Sequence, residues 1–474
     1  MSANARTHRI LQARAAVTAG AHAAADAVAA AYEADIVAER LAFLIESERW
    51  DAERMEAHQV FELRRLLRHA GKTVPFYRRT FAEVGFDPEA VSQLADLEAL
   101  PLIDKAVIQS EPDAFISEAY SDDELLFMTT GGSTGDPLRV FMDRESRSLS
   151  HANTRYYLEK AGFPLGSARG ARLHGDTLAK SVTDAGQVAV EENGRLTLSG
   201  YHLSAETLGR YLDALERFRP DYLHAYPSAA FLLATLIEQA GASAPKCLKA
   251  VFCDSETSYP WQRERLRRVF GAPIFNTYGH TEGATIAITL PGGADLRFLP
   301  QVGVTEFLDA ETHAPARPGE PAEIVATGFN NWVMPLIRYR TYDMARTAAP
   351  SPDERPPYPR CTEIVGRVQD YLVTDSGELV PIAPALFDYN FDWTGVERFR
   401  VVQDEAGLMR FEAVRSADSP ETDEALKRRI EEGFTHILSG RMRVDAAVVD
   451  ALPQTQRGKF RYVEQRLDIK DRLA

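Results

Sequence analysis

Cysteine is scarce in this chain: Cys247, Cys253 and Cys361 are the three among 474 residues. None forms a CxxC pair or stands at zinc-type spacing from a second Cys or His, so no structural metal is expected. An odd, sparse count suits a reducing cytosol, and a cytoplasmic protein is expected. Cys253 lies in the apolar run Ala250-Val251-Phe252-Cys253, where a free thiol reads as buried filling rather than a nucleophile. No run of 18 or more apolar residues occurs, so there is no candidate membrane span. An excess of positive charge is also missing. The net charge of −15 argues against a nucleic-acid binder, which carries a basic face, while leaving room for a local basic pocket. The first 25 residues hold no Asp or Glu and several Arg and Ala, a weak likeness to a transit peptide. The helical pattern continues smoothly to Glu48, so the segment reads as an Ala-rich helix instead.

What is present is ordinary globular composition, with 45% hydrophobic and 26% charged residues, and length enough for two or three domains. Residues 1–85 read as helical, with Val74-Pro75-Phe76-Tyr77 ending the pattern. Asp104 reads as the N-cap of a short helix. From there strand-like and helical runs alternate. Strands are expected at Arg139–Met142, Tyr222–Ala225, Leu248–Cys253 and Pro273–Asn276. Helices are expected at Ser146–Gly162, Ala205–Phe218, Ala229–Gly241 and Pro260–Phe270. The alternation predicts an α/β domain with a largely parallel sheet. Beyond Leu299 the chain turns β-rich, at Val304–Leu308, Ala322–Thr327 and Leu336–Arg340. A stretch with five prolines, 347–360, reads as a surface loop. A β-β-α-β module of about 110 residues then closes the chain, with strands at Phe399–Gln403, Arg410–Val414 and Arg443–Val449 and a helix at Glu421–Leu438.

The chemistry concentrates in a Gly/Ser/Thr run, Thr129-Thr130-Gly131-Gly132-Ser133-Thr134-Gly135-Asp136-Pro137. Its glycines let backbone N–H groups close on an anion, and its hydroxyls add neutral donors. It lacks the Gly-Lys-Ser/Thr ending of a Walker loop. Four segments follow in order: Tyr278-Gly279-His280-Thr281-Glu282-Gly283, Arg338-Tyr339-Arg340-Thr341-Tyr342-Asp343, Gly366-Arg367-Val368-Gln369-Asp370, and Leu452-Pro453-Gln454-Thr455-Gln456-Arg457-Gly458-Lys459. Each alone reads as a turn or a solvated charge cluster. Their order and spacing are far harder to obtain by accident.

With these motifs the chain resembles the adenylate-forming superfamily of acyl-CoA synthetases, luciferases and peptide-synthetase adenylation domains. It is most similar to the phenylacetate–CoA ligase-like branch through Val74-Pro75-Phe76-Tyr77-Arg78, Leu100–Lys105, Ala225-Tyr226-Pro227-Ser228 and Met334–Arg340. The resemblance implies an α/β fold. A large N-terminal AMP-binding domain would span 1–366, with 1–85 a mainly helical extension, and a small mobile α+β lid would span 367–474. It implies that Thr130, Gly131, Gly132, Ser133, Thr134 and Gly135 hold the pyrophosphate end of ATP. Ser255, Glu256, Tyr278 and Gly279 would also line the nucleotide site, with Tyr278 against the adenine. Asp343 would accept from the ribose hydroxyls, and Arg367 would reach ribose or phosphate. Glu282 would bind Mg²⁺, Thr281 would contact the α-phosphate, and Lys459 would be the catalytic lysine of adenylation. Tyr226, Ser228, His280, Gly283 and Trp332 would line an acid pocket suited to an aryl or cyclic apolar acid, and Gln369 or Asp370 would be the hinge. His174 and His224 stand as candidates for a base or for orienting the acceptor, without an assignment.

Such residues suit the attack of one anion on another. A carboxylate-held Mg²⁺ and a mobile lysine offset charge at the α-phosphate, and fixed alignment lowers the entropic cost. The expected cofactors are ATP and Mg²⁺. CoA is the expected co-substrate, with release of AMP. Two departures leave an amine acceptor, and hence an amide ligase, open. Asp375–Pro381 lacks the Arg and Asn of the branch's Arg-Gly-x-Asn-x-x-Pro stretch, and Tyr342 replaces the glycine usual before Asp343. An adenylyltransferase that stops at AMP transfer, and a non-catalytic nucleotide-binding relative, are the remaining rivals. The expected partners are therefore a small carboxylic acid and a thiol or amine. A second copy could pack on helical residues 1–50 to form a homodimer.

Overall fold

One twelve-stranded sheet changes character at the strand Ile274–Gly279. The computed structural model describes residues 6, 23–130, 138–164, 168–174, 187–192, 194–200, 202–349, 351, 354–367, 371–377, 379–382, 392–416, 419–438, 440–453 and 463–467. On one side of the switch, Arg195–Ser199, Gly170–His174, Tyr222–Ala225, Ala250–Cys253 and Ile274–Gly279 lie in that order and run parallel. Ala189–Glu192 adds an antiparallel edge. On the other side all pairings are antiparallel, through Ile286–Thr289, Leu296–Phe298, Arg360–Arg367, Tyr339–Ala348, Pro321–Gly328 and Gly303–Leu308. The expectation of a largely parallel sheet thus holds for one half only. Parallel neighbours need a long crossover, and helices Leu208–Phe218, Pro227–Gln239 and Pro260–Phe270 supply it. After Gly279 no described helix intervenes before residue 367, so the chain turns back on itself.

The parallel half packs Leu173, Leu198, Leu223 and Val251 against Leu215, Leu233 and Leu266 of its helices. A second core joins Leu63, Leu66, Phe76, Tyr77 and Phe115 to Val333, Leu336 and Tyr339. The N-terminal helices span Ala23–Ser47, Ala52–Thr73 and Pro75–Val84. Val74 is extended, but Pro75 opens a new helix rather than ending the helical region. Proline fits the first helical position because its missing N–H has no partner there anyway. The helix Ala23–Ser47 is tied to its own chain. Glu33 pairs with Arg144 and Arg147, and Glu48 just beyond its end pairs with Lys160. No helix among the described residues is long and apolar enough to cross a membrane.

The hairpin Leu126–Thr129/Arg139–Met142 carries the Gly/Ser/Thr run. Residues 131–137 of that run lie outside the described residues. Its base is closed by Thr130, whose N–H donates to Leu138 O and whose Oγ1 accepts from Leu138 N, both at 2.9 Å.

Two expected strand ends differ. Leu336–Arg340 is not a strand. Arg338 has φ +50, and the strand begins only at Tyr339. Asp343 therefore sits inside Tyr339–Ala348, paired in register with Arg367, and not beyond a strand end.

The last part of the chain forms its own four-stranded sheet, ordered Arg443–Val448, Leu408–Arg415, Val396–Glu405, Val463–Gln465. Helix Asp423–Ile437 packs Leu426, Ile430 and Phe434 onto Phe399 and Phe411. A short hairpin, Tyr371–Val373 with Leu379–Pro381, precedes it. Val373, Ala406 and Leu467 meet Met344, Tyr342 and Ala310 of the larger part.

Candidate active site

The carboxyl ends of the parallel strands gather most of the described candidate residues, and in open α/β sheets that edge is the ligand-binding one. Tyr278 closes Ile274–Gly279, and its hydroxyl donates to Asp343 Oδ2 at 2.8 Å, with both groups buried. Two motifs 65 residues apart thus meet across the sheet. Arg367 is Asp343's strand neighbour.

Beyond Gly279 the chain makes a tight turn in which Gly283 N donates to His280 O at 3.0 Å. Gly283 has φ +68, a region that a Cβ disfavours. The turn presents Glu282. Its Oε2 accepts from His280 Nδ1 at 3.1 Å and its Oε1 from Tyr339 Oη at 2.8 Å. Burial alone would raise the Glu282 carboxyl. The hydrogen bond and charge of His280 and the Tyr339 hydroxyl outweigh that and hold it down to about 2. An ionised, oriented carboxylate is the hard oxygen donor that Mg²⁺ takes, typically as one or two carboxylates beside substrate phosphates. The donor set therefore fits Mg²⁺. Thr281 is half-buried in the same turn.

Tyr226 and Ser228 stand where Tyr222–Ala225 runs into helix Pro227–Gln239. Glu256 accepts from Ser228 N at 3.0 Å, placing its carboxylate at the helix N-terminus, where negative charge is favoured. Ser255 has φ +66 beside it. The Tyr226 ring stacks on His174, centroids 4.3 Å apart. Trp332 has different surroundings. Its backbone O accepts from His69 Nε2 at 2.8 Å, and its ring meets His69 and Arg65 of helix Ala52–Thr73. No described contact joins it to Tyr226 or His280.

Lys459 and the hinge residues Gln369 and Asp370 lie outside the described residues, as do Gly131, Gly132, Ser133, Thr134 and Gly135.

Three features were not assigned from the sequence. Tyr339 holds Glu282. Tyr342 has φ +58, the left-handed region that suits the glycine usual at this position. It is retained there by donating to Asp104 Oδ2 at 2.5 Å and by Arg340, 4.8 Å from its ring centre. Asp104 also caps its helix by accepting from Val107 N, as expected. Third, His174, His224 and Asp254 converge. His224 Nε2 lies 2.6 Å from Asp254 Oδ2, and His174 Nε2 lies 3.5 Å from Oδ1. Burial opposes the Asp254 charge, but the two imidazoles and Ser255 bring its carboxyl well below the usual range. A polar residue at the end of each of three neighbouring strands was the signal available for this cluster.

The family described as AMP-binding enzyme matches residues 13–335. Protein CapK of Staphylococcus aureus is 24% identical over 416 residues, 86% of this chain and 89% of its own length. The phenylacetate-coenzyme A ligase of Thermus thermophilus is 27% identical over 357 residues, covering 69% of this chain and 74% of the relative. Among solved structures, 2-hydroxyisobutyryl-CoA ligase in the postadenylation state, in complex with R3-HIB-AMP, superposes with a TM-score of 0.69. It is 18% identical and covers 90% of this chain and 93% of its own, a likeness of fold. The chain belongs to the AMP-binding enzyme family, within the phenylacetate–CoA ligase-like branch of the adenylate-forming superfamily.

Proposed function

We propose that the protein is an AMP-forming acid–thiol ligase that activates an organic carboxylic acid with Mg-ATP and passes the acyl group to CoA. In the first half-reaction a carboxylate oxygen bonds to the α-phosphorus while the bond from that phosphorus to the bridging oxygen breaks. Pyrophosphate leaves and the acyl-adenylate stays. In the second, a thiolate bonds to the acyl carbon and the bond to AMP breaks.

The observation that carries this reading is Glu282 held ionised between His280 and Tyr339, in a chain whose family binds AMP. Asp343, oriented by Tyr278, accepts from the ribose. Thr130 to Gly135 receive the pyrophosphate end, with Ser255, Glu256 and Gly279 lining the nucleotide site. Thr281 contacts the α-phosphate, and Arg367 reaches ribose or phosphate. Mg²⁺, held by Glu282, supplies charge neutralisation at the phosphates. Tyr226, Ser228, His280 and Gly283 line the acid pocket, without Trp332, whose ring packs on His69 and Arg65; the acid is aryl, cyclic or otherwise apolar. Residues 367–474 act as a lid that turns about Gln369 or Asp370 between the two half-reactions, a hinge-type step. Lys459 is in the site only for the first.

An amine acceptor is the second reading. The altered stretch Asp375–Pro381 favours it, since the Arg and Asn usual in CoA-using relatives are absent there.

The test is AMP release from ATP with a panel of aryl, cyclic and fatty acids. Each acid is given with CoA, with mixed amino acids, and with neither, and products are weighed by mass spectrometry. CoA-dependent release with an acyl-CoA mass supports the first reading. Amino-acid-dependent release with an N-acyl mass replaces it with an amide ligase. Acid-dependent exchange of pyrophosphate into ATP without either product leaves only adenylation.

A further inference from the structure

We infer that His174, His224 and Asp254 bind a divalent first-row transition-metal ion of the Zn²⁺ class. The site is separate from Glu282 and does not depend on the acyl acceptor. Its three residues come from three adjacent parallel strands. His174 ends Gly170–His174, His224 is the third residue of Tyr222–Ala225, and Asp254 follows Ala250–Cys253. The registers pair Leu173 with Ala225 and Ala225 with Cys253. One step further, His174 and Asp254 both stand level with Tyr226. Tyr226 is two residues from His224, so the side-chain period of two puts all three on one face of the sheet. This is also where the strand order reverses. The chain leaves Gly170–His174 for Arg195–Ser199 on one side and returns to Tyr222–Ala225 on the other, the switch point at which such sheets bind ligands.

One ligand atom from each of the three residues, an imidazole nitrogen from each histidine and a carboxylate oxygen, lies within 4.8 Å of the other two. Zinc–nitrogen and zinc–oxygen bonds of about 2.0–2.1 Å give a tetrahedral edge of about 3.3 Å. The 3.5 Å from His174 Nε2 to Asp254 Oδ1 is close to that edge and long for a hydrogen bond. The 2.6 Å from His224 Nε2 to Asp254 Oδ2 needs to open by about 0.7 Å to reach it. A single ion would accept from all three donors at once and offset the buried Asp254 charge. Two imidazoles and one carboxylate are a borderline-soft set that favours Zn²⁺, Co²⁺ or Fe²⁺ over Mg²⁺. Three protein ligands leave a corner open, as metal sites that bind substrate or water do. An entry path exists, because the His224 and Asp254 side chains keep 21% and 24% of their exposure while His174 keeps 4%. Tyr226 stacks on His174, and Tyr157 Oη lies 3.4 Å from His224 Nε2. A bound ion therefore sits next to the Tyr226 end of the acid pocket.

The spacing of these residues hides the site from sequence. They are 50 and 30 positions apart, against the two to five of a zinc ribbon or finger, and strand register alone unites them.

The experiment uses the full chain, stripped with a chelator and dialysed. Co²⁺ alone and Zn²⁺ alone are then titrated in the absence of ATP. Readouts are bound metal per chain by elemental analysis and the visible spectrum of Co²⁺. One equivalent is expected, with the intensified ligand-field bands of a four- or five-coordinate nitrogen–oxygen site. His224→Ala and Asp254→Asn should each weaken binding by roughly 100-fold, whereas Glu282→Gln should leave it unchanged. Folding of each variant is checked by circular dichroism. If both fold poorly, histidine-ligand hyperfine coupling in the wild-type Co²⁺ or Cu²⁺ adduct decides. Absence of stoichiometric Co²⁺ binding by the wild type overturns the inference, as does binding unaltered in folded His224→Ala and Asp254→Asn or lost in Glu282→Gln. Loss of binding in Glu282→Gln would point to the nucleotide site instead. The adenylation reading has its own separate assay.

Discussion

The Tyr278 hydroxyl reaches across the sheet to Asp343 Oδ2, 2.8 Å away, and so fixes the carboxylate expected to hold the ribose. One lone pair of that oxygen is thereby occupied and the carboxylate plane is held in one orientation. Tyr278→Phe removes one neutral donor to a charged acceptor, a loss of about 1–2 kcal/mol, or roughly 5–30-fold in KM for ATP. Asp343→Ala removes the acceptor itself and should raise that KM roughly 100-fold. Steady-state kinetics varying ATP checks both, with kcat expected to change less than KM. A KM for ATP that moves in neither variant would place the nucleotide elsewhere.

Glu282 offers an ionised carboxylate at the turn after the same strand. Glu282→Gln keeps its size and much of its hydrogen bonding but removes the charge. The Mg²⁺ concentration for half-maximal pyrophosphate–ATP exchange should rise about tenfold or more, and exchange at saturating Mg²⁺ should fall roughly 100-fold. Unchanged Mg²⁺ dependence would remove Glu282 from the metal site. Tyr339→Phe, which loses one hydrogen bond to that carboxylate, should lie between wild type and Glu282→Gln.

Arg338 was legible as a family marker but not as a structural element. Its guanidinium makes two hydrogen bonds to Glu306, at 2.8 and 3.2 Å, and donates to Leu100 O at 2.8 Å. Both charged side chains are largely buried, at 7% and 15% exposure. Burial pushes the Glu306 carboxyl up while Arg338 pulls it back. Arg338→Met strands an unpaired carboxylate and two backbone acceptors, Glu98 O and Leu100 O, so it should cost about 3–5 kcal/mol. Denaturant melts check the size. The destabilisation should shrink as the pH falls and Glu306 protonates. It should also shrink in the double variant Arg338→Met/Glu306→Gln, which removes the orphaned charge.

Thiol reactivity tests the burial of both halves of the sheet. Desolvation raises the Cys253 and Cys361 thiols well above their ordinary range, and both are fully buried. Cys247 is partly exposed and raised less. Brief alkylation of the native protein at pH 8 should therefore label Cys247 and spare the other two until denaturant is added. Labelling of native Cys253 at a rate comparable to Cys247 would show that the strand Ala250–Cys253 opens readily.

The parts legible in the sequence were those written in local signals. Helix Pro260–Phe270 and strands Tyr222–Ala225 and Arg139–Met142 have the expected bounds, because caps and apolar runs specify them. The sheet's reversal at Ile274–Gly279 was not legible, since it depends on which connections lack a helix, a fact spread over a hundred residues. Asp343 was expected beyond the end of a strand Leu336–Arg340, whereas it lies inside Tyr339–Ala348. The positive φ of Arg338, which delays the strand to Tyr339, is imposed by its contacts with Glu306 and Leu100. Tyr342 shows the same effect. A glycine-type backbone is retained under a tyrosine because Asp104 and Arg340, distant in sequence, hold the ring.

Lys459 belongs to a motif read from the sequence, and the role proposed for it separates the two half-reactions. A compact positive charge between the attacking carboxylate and the α-phosphate matters only while that bond forms. Lys459→Ala should therefore lower pyrophosphate–ATP exchange by about 100-fold or more. It should leave capture of a supplied acyl-adenylate by CoA or amine within about threefold of wild type, since in the proposed mechanism the lid has by then turned away. Rapid-quench assays with synthetic acyl-adenylate separate the steps. If both rates fall together, the lysine acts in one closed state throughout, and a lid that turns between half-reactions has to be abandoned. If exchange survives intact, another cation neutralises the α-phosphate. Arg367, paired with Asp343 in the sheet, is then the next residue to substitute.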